Sequence, residues 1–208
     1  MKIALCLYGI YYCDRYQHWA LDKIQYKIDY RLSLNNYQTQ IIQPYLDGGH
    51  ELDTFVSTYA VNPQKDQELL ETYKPKKFVF EQFDNKQNHL FAKNSHVITL
   101  CNFIENTPYD VMFIIRFDLH LNQPVTNYNI DYNKVNVSCV LEKDNLIDDA
   151  IYVTPTKVLP QFKQVFLNNL HCSGHLFNFK KIGINYFVEE KGFNVGGNPV
   201  YKIIRTHA

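Results

Sequence analysis

At 208 residues the chain is long enough for one sizeable core and too short for two independent ones. Hydrophobic residues make up 46% and charged residues 20%, a globular composition without the charge blocks or low-complexity tracts of a disordered chain. The 21 basic residues balance 21 acidic ones, which argues against electrostatic capture of nucleic acid or an anionic membrane and leaves only local phosphate recognition.

The five cysteines, Cys6, Cys13, Cys101, Cys139 and Cys172, form no CxxC pair and are odd in number. Neither a disulfide framework nor a structural zinc site is expected, and reduced, mostly buried thiols in a cytoplasmic protein are the simplest reading. Tyr (16) and Phe (14) are abundant beside a single Trp, which predicts an aromatic core and rim. No segment approaches membrane-spanning length. Asn136-Val-Ser138 matches a glycan-acceptor sequon, but the opening apolar run breaks at Gly9, too short for a secretory signal, so the sequon carries no weight.

In chain order, Lys2 to Tyr8 is a continuous apolar run of the kind a strand shows when both its faces are buried, and Gly9 lets the backbone turn. Leu34, Tyr37 and Ile41 recur at helical spacing until Gly48-Gly49 supplies a stop. Glu51 to Tyr59 contains a second strand ending in the polar pair Ser57-Thr58. Asn62-Pro63 opens a helix through about Tyr73 as an N-cap followed by proline at the first helical position. Lys77 to Phe80 is a third strand, and His89 to Glu105 has the spacing of an amphipathic helix. Asp110 to Leu121 completes a β-α-β-α-β-α-β order, which predicts an α/β fold with a largely parallel sheet covered by helices. The second half is less regular. Strands are expected at Val135 to Leu141, Ala150 to Val153 and Val200 to Arg205, and a polar loop at Asp144 to Asp149. Thr156 caps a helix through Leu170, and Gly174 to Ile182 forms another.

The Asp110 to Leu121 segment joins an uncharged run to Arg116, Asp118 and His120, set two apart. On one continuous strand these three emerge on the same side at its carboxyl end, where ligands collect in open α/β sheets. Carboxylate and imidazole can ligate a divalent metal, and guanidinium suits phosphate. Alternatively, the row is a solvent-facing polar edge with an Arg-Asp ion pair.

Asp148 and Asp149 precede a short apolar strand. Adjacent side chains of extended backbone alternate, so at most one addresses a given ligand, as a general base or in acceptor binding; a plain loop turn is the other reading. His171 and His175 are four apart, and one of them could complete a site begun at Asp118 or simply lie at the surface. No GxGxxG follows Gly9, and no Walker A motif or GxSxG elbow is present, which removes the main support for dinucleotide oxidoreductase, P-loop NTPase and serine-hydrolase readings.

Met1 to Gly9, Phe55 to Tyr59, Tyr109 to Leu119 and Asp148 to Tyr152, taken together and in this order, resemble the small GT-A-type glycosyltransferases of bacteria and large DNA viruses, including chlorella viruses. The resemblance implies a single domain over residues 1–208, built on a central, mostly parallel mixed sheet flanked by helices. Residues 1–121 would bind the nucleotide sugar and residues 122–208 would form the acceptor side. It further implies a nucleotide-sugar donor, UDP-linked, a glycan or glycoprotein acceptor, and a divalent ion, usually manganese, otherwise magnesium, bridging the diphosphate. Carried over by position, Leu7, Tyr8, Gly9, Ser57, Thr58 and Tyr59 would line the nucleotide, with Arg116 near the phosphates. The aspartate-any-aspartate metal motif would fall on Arg116-Phe-Asp118 or Asp118-Leu-His120. Asp118 is its one carboxylate, with His120 and the later His175 to complete the shell. Asp148 or Asp149 would be the base if the reaction inverts configuration, whereas retention requires none. A non-catalytic or hydrolytic nucleotide-sugar-binding relative, and an interaction domain with an aromatic surface, remain the alternatives.

Overall fold

A computed structural model of the chain describes residues 1–17, 25–82, 89–141, 146–148, 150–168, 172–187, 200–204 and 206–207. Strand β1 (Lys2–Gly9) leads into a hairpin of β2 (Tyr12–Gln17) and β3 (Gln25–Asp29). Helix α1 (Arg31–Tyr37) continues through a π-helical turn (Gln38–Ile42) into α2 (Gln43–Asp47). There follow β4 (Glu51–Tyr59), α3 (Pro63–Tyr73), β5 (Lys77–Glu81), α4 (His89–Ile104), β6 (Val111–Arg116) and β7 (Leu119–Leu121). The second half contributes β8 (Val135–Val137), β9 (Val140–Leu141), β10 (Leu146–Ile147), β11 (Ile151–Pro155), α5 (Leu159–Asn168), α6 (Cys172–Ile182), β12 (Ile184–Tyr186), β13 (Tyr201–Ile203) and β14 (Thr206–His207).

Seven strands form one sheet in the order β12-β8-β11-β6-β1-β4-β5. β1 pairs in parallel with both β4 and β6, β4 with β5, and β8 with β12. β11 alone runs against the rest, antiparallel to β6 and β8. The sheet is therefore mostly parallel and mixed, as expected. The winding reverses at β1: β4 and β5 lie on one side of it, and β6 and everything after it on the other.

The apolar run of β1 exists because both its faces are buried. Ile3, Leu5 and Leu7 enter one core with Val111, Phe113 and Ile115 of β6, beneath Tyr37, Ile41 and Tyr45 of the α1–α2 segment and Leu69 and Tyr73 of α3. Ala4, Cys6 and Tyr8 enter the opposite core with Met112 and Ile114, covered by α4, α5 and α6. Cys6, Cys101 and Cys139 are buried free thiols, and burial raises the pKa of each.

Local signals account for several boundaries. Asn62 caps α3, its side chain accepting from the backbone N–H of Lys65 at 2.9 Å, with Pro63 at the first helical position. Gly49, at φ +73°, takes the left-handed conformation that ends α2. Pro44 has no N–H for the carbonyl four residues back, and the π-helical turn immediately before it relaxes that missing bond.

Elsewhere the chain departs from the pattern read in sequence. The β2–β3 hairpin and β12 were not expected. Asp110 to Leu121 is not one strand: it breaks in a turn at Phe117-Asp118, and β7 pairs with β13 outside the main sheet. Val135 to Leu141 divides into β8 and β9. Thr156 caps no helix. Its hydroxyl donates to the carbonyl of Tyr109 at 2.5 Å, and α5 starts at Leu159 after a 3-10 turn. Within the expected Asp144 to Asp149 loop, Leu146–Ile147 is instead strand β10, and positions 144, 145 and 149, together with Leu170, His171 and Arg205, lie outside the described residues.

Candidate functional site

The winding reverses at β1, so the connections that leave β1 and β6 go to opposite sides, and the carboxyl ends of these two strands are the place where an open α/β sheet forms a ligand crevice. Tyr8 and Arg116 are paired residues on its two sides, and Gly9 pairs with Thr58 at the end of β4. Asp148 lies just before antiparallel β11, whose first residue, Ile151, is opposite Ile115, so it reaches the same end of the sheet. The fold thus gathers Tyr8, Gly9, Ser57, Thr58, Tyr59, Arg116, Asp118 and Asp148 at one end.

Arg116 is the last residue of β6. Its Nε donates to Asp118 Oδ1 at 2.9 Å and its Nη2 to Asp118 Oδ2 at 2.5 Å, a two-pronged pair in which both carboxylate oxygens are engaged. The carboxylate side chain is 4% exposed and the guanidinium side chain 25%. Burial opposes the charge on Arg116, yet Asp118, with the phenols of Tyr8 and Tyr201 in range, raises its pKa above the ordinary arginine value. The group is a fixed cation on a partly exposed side chain, and its counter-ion is buried.

That pair is held by helix α1, and sequence reasoning missed the device. Ser33, Asn36 and Tyr37 share one helix face and are all buried. Ser33 Oγ donates to the carbonyl of Phe117 at 2.5 Å. Tyr37 OH donates to the carbonyl of Arg116 and accepts from the N–H of Leu119 at 3.2 Å, bridging the break between β6 and β7. Asn36 takes both backbone groups of Leu121, accepting from its N–H at 2.7 Å and donating to its carbonyl at 3.0 Å. Polar residues at i, i+3 and i+4 on a face otherwise turned toward the core were the available signal, hidden by counting only the apolar spacing.

Asp148 is also interior. Tyr201 OH donates to its Oδ1 at 2.7 Å, Ser138 Oγ donates to its Oδ2, and the N–H of Ala150 approaches Oδ1 at 3.3 Å. Burial and this neighbouring carboxylate push the Cys139 thiol up to about 12. Tyr201, unanticipated in sequence, thereby links Asp148 to the Arg116 region. Asp149 lies outside the described residues.

The residues expected to line a nucleotide divide by exposure. Leu7 is fully buried and packs in the core, and Tyr8 is 2% exposed. Ser57 and Thr58 are fully buried, with hydroxyls engaged internally: Ser57 Oγ lies 2.8 Å from His96 Nδ1, and Thr58 Oγ1 donates to the carbonyl of Gly9 at 2.6 Å. Tyr59 packs edge-on against the His96 ring at 4.6 Å. These side chains are engaged within the protein at the carboxyl ends of β1 and β4. Gly9, at φ +91°, keeps open space where a Cβ would project and remains partly exposed.

The metal set is not assembled. His120 is exposed on β7, with Asn36 Nδ2 at 3.3 and 3.4 Å from its two ring nitrogens. His175 is fully buried on α6, its ring 4.6 Å from Phe166 and 6.1 Å from Phe179. Among the described residues no three His, Cys, Asp or Glu side chains come together as a metal-holding group. With Asp118 engaged by Arg116 on both oxygens, the donors among the described residues do not fit a protein-held divalent ion. Among the described residues, moreover, no helix is long and apolar enough to cross a membrane. Compared with known proteins, the chain matches no protein-family model and no curated protein sequence.

Proposed function

We propose that the protein is a GT-A-type glycosyltransferase that moves a sugar from a nucleotide-sugar donor, a UDP-sugar, to a glycan or glycoprotein acceptor in the cytoplasm. The observation that carries this reading is the Arg116–Asp118 pair, a partly exposed arginine side chain held by a buried carboxylate at the carboxyl end of β6, beside the point where the winding reverses. A diphosphate is the leaving group best matched to such a cation, because its negative charge grows as the sugar departs. Gly9, with no side chain at the rim, lets a ligand approach the backbone closely. The free buried thiols support the cytoplasmic location.

In the transfer, the bond from the anomeric carbon to the diphosphate oxygen breaks and its electron pair goes to the diphosphate. The acceptor hydroxyl oxygen bonds to that carbon and its proton passes to a base. Asp148 is enclosed by Ser138, Tyr201 and Ala150, so its role is to position Tyr201, and Asp149 is the base that the sequence offers. The test offers a panel of UDP-sugars with and without oligosaccharide acceptors and follows UDP release. Acceptor-dependent release supports transfer. Release that ignores the acceptor supports a hydrolytic relative, and no release with UDP bound supports a non-catalytic one.

A further inference from the structure

Arginine carries five N–H donors, of which Asp118 takes two. Among the described residues no other group accepts a hydrogen bond from this guanidinium, so the edge that carries Nη1 is left to whatever enters the crevice. The guanidinium is already oriented. Its plane is fixed by the two-pronged carboxylate, its backbone carbonyl by Tyr37, and the following carbonyl by Ser33. A planar cation with parallel donors fits two phosphate oxygens at once, which a point charge does not.

A divalent ion would need these same atoms. To bind Asp118 it would have to displace Arg116 from one or both oxygens and then sit beside the displaced guanidinium, two cations in one partly buried place. His120 is turned to Asn36, and His175 is packed between aromatic rings, so neither offers a second ligand.

We propose that Arg116, positioned by Asp118, replaces the divalent ion and receives the donor's diphosphate directly, so that nucleoside-diphosphate binding here is independent of divalent cations. The inference rests on the glycosyltransferase reading above and sharpens it, since it names the group that meets the leaving diphosphate.

The probes are UDP and UMP, titrated calorimetrically into the full-length protein in EDTA and again in manganese. In the wild type, UDP affinity in the two buffers agrees within roughly threefold, and UDP binds about ten- to hundredfold more tightly than UMP, the range expected for added charge-assisted hydrogen bonds. Removing Arg116 alone would strand a buried carboxylate and risk the fold. The variant is therefore the double replacement Arg116→Met with Asp118→Leu, which removes both charges and keeps volume. A circular-dichroism melt checks its folding, and its UDP affinity falls to the UMP level in both buffers. Binding of UDP only in manganese would overturn the inference and leave the nucleotide site standing. Full UDP affinity in the folded double variant would also overturn it. No binding of either nucleotide by the wild type in either buffer would overturn both this inference and the reading beneath it.

Discussion

Asn36→Ala tests whether the polar face of α1 holds the Arg116 to Leu121 segment. Asn36 is 5% exposed and Leu121 1%, and the amide acts toward the Leu121 N–H and carbonyl as a missing strand neighbour would. Truncation leaves one donor and one acceptor buried without partners, each costing about 1–3 kcal/mol. Allowing a water to recover part of that, the loss is roughly 2–4 kcal/mol, which for a chain of this length lowers Tm by roughly 5–15 °C. Thermal unfolding followed by circular dichroism measures the shift, and denaturant unfolding checks it independently. Because the segment also carries the Arg116–Asp118 pair, UDP affinity falls as well, although Asn36 touches no ligand in this account. A Tm change below about 2 °C in Asn36→Ala would refute the reasoning, because two orphaned buried backbone groups cannot be that cheap.

Other outcomes follow from the same geometry. His96 is 1% exposed, and burial lowers its pKa from 6.5 to about 4. The unfolded chain therefore takes up a proton on this group before the folded one does. Its contribution is full above pH 6.5 and lost as pH falls toward 4, to a total of about 3 kcal/mol; stability measured against pH should flatten across that window in His96→Gln, and an unchanged slope would count against it. Asp148→Asn lowers stability by about 1–3 kcal/mol through its bonds to Ser138 and Tyr201, whereas Asp149→Asn lowers transfer without a comparable change in Tm. Equal losses of Tm in the two variants would reverse those roles. Gly9→Ala meets no neighbouring atom but forces a side chain to φ +91°, so it costs about 1–2 kcal/mol by strain alone. A stabilised Gly9→Ala protein would contradict the backbone conformation.

What could be read from the sequence depended on whether the signal was local. β1 was legible because a strand buried on both faces leaves an apolar run, and α3 because Asn62-Pro63 is a self-contained start signal. The β2–β3 hairpin was not, since β3 completes its pairing with β14 from the far end of the chain. The turn at Phe117-Asp118 was hidden for the same reason: Ser33 and Tyr37, some eighty residues earlier, stabilise a break in what reads as one strand. Spacing placed Arg116 and Asp118 on one face of a continuous strand, whereas they meet across the turn at Phe117-Asp118 as the ion pair that was the alternative reading. His175 was misleading as a metal candidate. Leu176 and Phe179 beside it mark the buried face of α6, and that apolar spacing was the better guide.

The central claim is that the crevice between β1 and β6 binds a nucleoside diphosphate. A thermal-shift screen of UDP, GDP, CMP and ADP tests it most directly, because a ligand that binds only the folded state raises Tm. At a hundred times its Kd, a nucleotide stabilises by about 2.7 kcal/mol, or roughly 5–10 °C for a chain of this length. The account predicts such a shift with UDP in the wild type and its loss in Arg116→Met/Asp118→Leu. No shift with any of the four nucleotides, or an equal shift in the double variant, would contradict it.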